Sequence, residues 1–250
     1  MHKFFVDENC IYENKVRIQG EDVKHIYKVL RLEVEDEVII NNCLGKEFVA
    51  KIKDINKKEV LLSIQKELNS NNESNVNLYL FQGLPKASKM DLIVQKATEL
   101  GVKEIVPIIT ERVIVKNEMG EFKKLDRWQR IALEACKQCK RTFIPAIKEP
   151  MEFEAMIKHL NTMDLVIVPY ENASGYGIKN VMENISAQGI LDIAIIIGPE
   201  GGFEEQEISK LKENNAHIVT LGPRIFRTET AGFVCTTLLQ YELGDLGGII

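Results

Sequence analysis

Ile195-Ile196-Ile197-Gly198-Pro199-Glu200-Gly201-Gly202 and, further on, Leu221-Gly222-Pro223-Arg224-Ile225-Phe226-Arg227-Thr228-Glu229-Thr230-Ala231 decide the fold of this chain. Each pairs a Gly/Pro loop with a helical pattern that follows it, and the first is preceded by an unbroken apolar run. Both read as strand–loop–helix units whose loops lie at the carboxyl ends of neighbouring strands. Open α/β sheets bind ligands in that crevice, and glycine lets backbone polar groups approach a ligand closely because no Cβ intervenes.

Upstream of these units the apolar period changes. Residues 1–67 alternate in steps of two, as in Glu47-Phe48-Val49-Ala50-Lys51-Ile52, with one short helix expected from about Glu21 to Leu30. Short alternating strands with tight polar turns suggest a small β-barrel. Asn69-Ser70-Asn71-Asn72-Glu73-Ser74-Asn75 has the composition of a linker, which divides the chain into domains of residues 1–72 and 73–250. Beyond it, strands are expected at Val76–Gln82, Glu104–Ile108, Leu165–Val168 and Ile190–Ile197. Helices are expected at Ser88–Leu100 (Ser88 as N-cap), Leu125–Lys140, Phe203–Asn214 and Thr230–Leu243. Strands alternating with helices imply a mostly parallel sheet covered on both faces.

The 250 residues carry a net charge of −5, unevenly spread. Residues 84–148 hold 14 basic and 8 acidic groups, whereas residues 149–250 hold 6 basic and 15 acidic. The middle segment is either a phosphate-binding face or a set of solvated helix faces. No apolar run is long enough to span a membrane, and the N-terminus lacks a signal-peptide pattern, so a cytoplasmic protein is expected. The five cysteines are scattered, and Cys136-Lys137-Gln138-Cys139 has no second ligand pair to complete a zinc site; no metal is expected.

Several chemistries are disfavoured by the motifs. The sequence holds no GxxxxGK[ST], no GxGxxG and no GxSxG. Glu200 would also repel a pyrophosphate. The remaining possibility is a pocket of main-chain donors and acceptors, with acidic side chains at one edge and Arg224 and Arg227 near the other. Such a pocket suits a neutral or cationic nucleoside better than a polyanion.

These motifs resemble those of the 16S ribosomal RNA uridine N3-methyltransferase family (RsmE) of the SPOUT class. The family's GPEGG-F-x-x-x-E stands here as Gly198–Phe203 with Glu207, and its LGxRILRTETA as Leu221–Ala231 with Phe226 for leucine. Lys96–Val102 matches KATELGV, Glu134–Arg141 resembles EAxxQxxR, and His25–Arg31 is similar to HxxxVLR. Departures fall at Glu35, Val113, Cys139 and Phe226. The resemblance implies a PUA-like RNA-binding barrel, then a SPOUT α/β domain whose segment from about 165 to 243 carries a deep trefoil knot. It also implies a homodimer acting on 16S ribosomal RNA of the small subunit.

The cofactor implied is S-adenosyl-L-methionine, held by Val168 and Pro169, by Gly198, Pro199, Glu200, Gly201 and Gly202, and by Leu221, Gly222, Ile225, Phe226, Arg227 and Thr230. Uracil N3 becomes a nucleophile only when its proton leaves, so the site must take that proton or stabilise the anion. Arg141 and Arg227 are the candidates for stabilising the anion or holding a phosphate. Glu229 is a candidate base, with Glu200 second, though Glu229 equally suits a helix cap. RNA contacts are expected from Lys3, Lys28 and Arg31 in the barrel and from Lys86, Lys89, Arg112 and Arg141 beyond it. Rival readings are a SPOUT enzyme acting on ribose 2′-OH or another RNA, and a non-catalytic ribosome-assembly factor.

Overall fold

A computed structural model of the chain describes residues 1–69, 72–86, 89–113, 121–186 and 188–248. They form two compact units, one of residues 1–73 with 140–144 and one of residues 74–139 with 145–250.

The first unit is a six-stranded sheet made of β1 (Lys3–Phe5), β2 (Ile11–Tyr12), β3 (Lys15–Gln19), β4 (Glu37–Asn41), β5 (Glu47–Ile55) and β6 (Glu59–Leu68). The strands run in the order β1-β4-β5-β6-β3-β2, antiparallel except for the β1–β4 pair. Alternation places Val16, Ile18, Val38, Ile40, Val60 and Leu62 in one apolar core with Val23 and Ile26. The expected helix over Glu21–Leu30 is shorter as an α-helix. Only α1 (Glu21–Lys24) is α-helical, and His25–Leu30 continue as a wider π-helix that ends at Arg31 in a left-handed conformation (φ 53°). A π segment accommodates an extra residue per turn and is common at functional positions.

Glu73 completes this unit by capturing a segment distant in sequence. Its carboxylate accepts from Arg141 Nε (3.0 Å) and Nη2 (2.7 Å) and from the backbone N–H groups of Thr142 (2.8 Å) and Phe143 (2.9 Å). The Gly45 N–H donates to the Thr142 carbonyl and the Ile144 N–H to that of Cys43, so the segment adds to the turn between β4 and β5.

The second unit is built on β7 (Asn77–Gly83), β8 (Val102–Ile109), β9 (Ala146–Ile147), β10 (Met151–Glu152), β11 (Leu165–Pro169), β12 (Asp192–Ile197) and β13 (His217–Val219). These seven strands are all parallel, in the order β10-β8-β7-β12-β11-β13 with β9 beside β8. Ile193, Ala194, Ile195 and Ile196 are each fully buried, as expected of a central parallel strand covered on both faces. The helices are α2 (Lys89–Glu99), α3 (Glu121–Cys139), α4 (Phe153–His159), α5 (Ile178–Asn184), α6 (Glu205–Glu213) and α7 (Thr228–Leu243). Ser88, the expected cap of α2, lies outside the described residues; Gly101 follows that helix with φ +86°. α4 and α5 are too short for a periodic signal in the sequence. No helix among the described residues is long and apolar enough to cross a membrane.

Because every strand of this sheet points the same way, the loops after β7, β8, β11, β12 and β13 share one edge. Replacing Glu73 by alanine removes the acceptor for two N–H groups and for a guanidinium whose side chain is 6% exposed. The Glu73→Ala variant should be less stable by about 3 kcal/mol in denaturant unfolding, with faster amide hydrogen exchange at Thr142 and Phe143.

Candidate functional site

The shared edge encloses a cavity of about 580 Å³. The loop after β12, Gly198–Gly202, forms one side and the loop after β13, Thr220–Arg227, the other. Pro169, Tyr170 and Glu171 enter from the end of β11, Lys89 from the start of α2, and Thr228 and Ala231 from the start of α7.

Thr228 fixes how these pieces meet. Its hydroxyl donates to the Gly198 carbonyl (2.6 Å) and accepts from Gln82 Nε2 (2.9 Å). The ends of β7 and β12 and the start of α7 are thereby joined through one oxygen. Gly83 allows the approach, since a Cβ there would stand 2.5 Å from Pro199 N and 2.8 Å from the Gly198 carbonyl carbon. Gly202 turns the loop with φ +70° and donates its N–H to the Pro199 carbonyl (2.9 Å).

Two charged clamps hold the glycine loop from outside. Arg112, just past β8, donates through Nη1 to the Gly201 carbonyl (2.8 Å) and through Nε to Glu204 (2.6 Å). Glu207 accepts from the N–H groups of Glu111 (3.0 Å) and Glu204 (2.8 Å), tying the start of α6 to the same segment. On the other flank, Lys89 Nζ lies 3.1 Å from Glu200 and 3.2 Å from Glu229. Burial opposes ionisation of Glu200, but its own backbone N–H, the Lys89 ammonium and the Lys86 N–H together hold its carboxyl below the usual range. The Glu200 carboxylate, ahead of that of Glu229, outweighs burial and raises Lys89. Both groups therefore stay charged at neutral pH.

The expected cofactor residues divide into two groups. Pro169, Gly198–Gly202, Leu221, Gly222, Ile225, Phe226 and Arg227 line the cavity. Val168 is fully buried within β11, and Thr230 belongs to the first turn of α7; neither lines it. Tyr170 and Glu171, in the loop after Val168 where the cofactor was expected, line it too, as do Phe203 and Thr228, which were not among the expected cofactor residues. Thr228 stood in the quoted Arg-Thr-Glu-Thr run, but the expected helix began two residues later, at Thr230, and left it in the loop.

The expected ionic residues are placed differently from one another. Arg227 is exposed at the cavity rim and makes no ion pair among the described residues. Glu229 is not on the cavity wall; its side chain is 12% exposed behind Lys89. Its Oε2 has no well-directed hydrogen bond despite that ion pair. Arg141 lies in the first unit against Glu73. Lys3 pairs with Glu47, and Lys28 sits 5.7 Å from the Tyr27 ring centre. Lys28, Arg31 and Lys86 are exposed. Of the 14 basic residues between 84 and 148, Lys89, Lys96, Arg112, Arg127, Lys137, Arg141 and Lys148 each have a carboxylate partner. His217 stacks beside Tyr176, whose hydroxyl is 3.2 Å from Nδ1, and burial pushes its pKa down; it is a neutral packing residue.

Fold and cavity together define an α/β protein with a small-molecule site at the carboxyl edge of a parallel sheet. Residues 72–240 match the family profile of an RNA methyltransferase domain, and residues 18–65 that of an RNA methyltransferase PUA domain. The ribosomal RNA small subunit methyltransferase E of Bacillus subtilis (strain 168) is 33% identical over 92% of this chain and 91% of its own length. The crystal structure of a ribosomal RNA small subunit methyltransferase E from Neisseria gonorrhoeae, bound to S-adenosylmethionine, is 31% identical with a TM-score of 0.81. That match covers 98% of this chain and 99% of the other. A methyltransferase from Legionella pneumophila in complex with the same cofactor is 32% identical with a TM-score of 0.82, covering 98% of both chains. The chain belongs to the ribosomal RNA small subunit methyltransferase E family.

The packing around the glycines predicts two opposite substitution effects. Gly83→Ala forces β7 away from Pro199 and should lower stability by about 3 kcal/mol. Gly232→Ala, inside α7, meets only ordinary contacts at 3.6 and 3.7 Å and should stabilise by up to about 1 kcal/mol. Thermal unfolding of the two variants reads both.

Proposed function

We propose that this protein is an S-adenosylmethionine-dependent methyltransferase that acts on uracil N3 in 16S ribosomal RNA of the small subunit, in the cytoplasm. The observation that carries the reading is the cavity between the two glycine loops. Its volume lies in the range for cofactor-sized ligands, its glycine backbone leaves room that side chains would fill, and Glu171 and Glu200 line it. Carboxylates beside an apolar, backbone-walled pocket suit an adenosyl group carrying a positive sulfonium. The residues present therefore fit this cofactor. When bound, it supplies an activated methyl group.

The chain's own residues have separable tasks in this reading. Backbone groups of Gly198–Gly202 and Leu221–Phe226 hold the nucleoside. Arg227, exposed at the rim and unpaired among the described residues, stabilises the negative charge that develops on uracil as the N3 proton passes to solvent water. Glu229 lies off the cavity wall with its carboxylate 3.2 Å from Lys89 Nζ, a placement that suits orienting Lys89. Arg141, engaged by Glu73, is assigned to architecture instead of to phosphate contact. Lys28 and Arg31, exposed at the end of the π-helix, and Lys86 remain the RNA-contacting set from the original group.

Two further features belong to the same proposal. The order β12-β11-β13 and the return of α7 to pack on β12, β7 and α2 support a threaded C-terminal segment. Leu238 and Tyr241 on α7, 37% and 64% exposed, support burial against a second copy of the chain. Sedimentation velocity should then give a dimer.

Methylation of small subunits from a strain lacking the modification, followed by nucleoside mass spectrometry, tests the activity. N3-methyluridine is expected; a ribose-methylated product would overturn the choice of base nitrogen. Absence of calorimetric binding of S-adenosylmethionine would instead indicate a non-catalytic assembly factor. Arg227→Ala should lower turnover about 100-fold or more while the cofactor Kd stays within about threefold.

A further inference from the structure

Residues 149–250 carry only 6 basic side chains against 15 acidic ones, yet two of the six stand three residues apart on the cavity rim. Arg224 and Arg227 are both exposed, both line the cavity, and neither makes an ion pair among the described residues. This contrasts with Lys89 and Arg112, whose charges are already matched by Glu200, Glu229 and Glu204. The loop that presents the two arginines is shaped for the purpose. Gly222 adopts φ +119°, the Thr220 hydroxyl lies 3.1 Å from its N–H, and Pro223 stiffens the next step. Ile225, between the arginines, is 84% exposed, so the rim offers an apolar surface flanked by two free guanidinium groups.

A ligand enclosed by the cavity would cover the inner loop, while these side chains are exposed at its rim. They call for an anion that arrives from solvent with a flat apolar group beside it. A nucleic-acid strand has that composition. Arginine grips phosphate through two parallel N–H groups, and phosphate contacts position a strand without reading its sequence.

Resting on the reading that the cavity serves RNA methylation, we propose that Arg224 is an RNA-binding residue that holds the phosphodiester next to the target nucleotide and so delivers its base toward Arg227. Arg224 acts in substrate capture, and Arg227 acts on the base. The other anion that could meet Arg224 is a carboxylate of the cofactor, and the test separates the two.

Binding of a fluorescein-labelled single-stranded uridine-containing RNA is measured by anisotropy across a salt series for wild type, Arg224→Ala and Arg224→Lys. Cofactor affinity is measured by calorimetry and methylation by initial rates on unmodified small subunits. For Arg224→Ala the RNA affinity should fall about tenfold at low salt, and the slope of log K against log salt should shrink by about 0.7 to 1. KM for subunits should rise with kcat within about threefold, and the cofactor Kd should not move. Arg224→Lys should recover the salt slope but only part of the affinity, because the fork is lost. An unchanged salt slope, or a cofactor Kd weakened about tenfold with RNA binding intact, would overturn the assignment. Failure of the wild type to methylate subunits would count against the proposed function itself, independently of Arg224, whose RNA contact is still read by the slope.

Discussion

A single hydroxyl oxygen organises the catalytic unit. Thr228 links the carbonyl that ends β12 to the amide that ends β7 while opening the helix that follows the second glycine loop. Gln82 and Thr228 are both buried, so this bridge is sheltered from competing water and worth more than an exposed hydrogen bond. The close approach it depends on is possible only because Gly83 has no side chain. Loops that would otherwise move separately are thereby held as one wall of a cavity.

Charge plays a second, less expected part. A basic middle segment suggests a surface for nucleic acid, but half of its cations are committed to carboxylates within the protein. Arg112 and Lys89 brace the glycine loop from opposite flanks, and Arg141 closes the first unit. An exposed pair such as Arg112–Glu204 adds little stability by itself, whereas Arg141 is buried against Glu73. These contacts also fix backbone geometry: Arg112 reaches the Gly201 carbonyl, and Glu73, beside Arg141, holds the N–H groups of Thr142 and Phe143. Exposed cations without such partners among the described residues, such as Lys28, Arg31, Lys86 and the two rim arginines, are free to meet a phosphate.

The architecture was largely legible in the sequence because its signals are local. Alternation over residues 37–64 marks the small sheet, and continuous apolar runs such as Ile193–Ile197 mark a parallel sheet buried on both sides. The two glycine loops identify the cavity for the same reason. What escaped depends on partners far apart in the chain. Nothing near Arg112 hints at Glu204, 92 residues on, or near Glu73 at Arg141. Helix boundaries slipped where geometry departs from the α period, as at His25–Leu30, or where a hydroxyl serves the tertiary structure, as at Thr228. α4 and α5 span fewer than two full periods each and leave no pattern to detect.

The capture of residues 140–144 by Glu73 bears on how the chain is made. Domains tend to fold as they emerge during synthesis, the N-terminal one first. Here the first unit lacks its last piece until α2, β8 and α3 have also left the ribosome. Its carboxylate waits for donors encoded some 70 residues downstream, so completion of the N-terminal sheet is tied to the progress of translation through the unit that follows it.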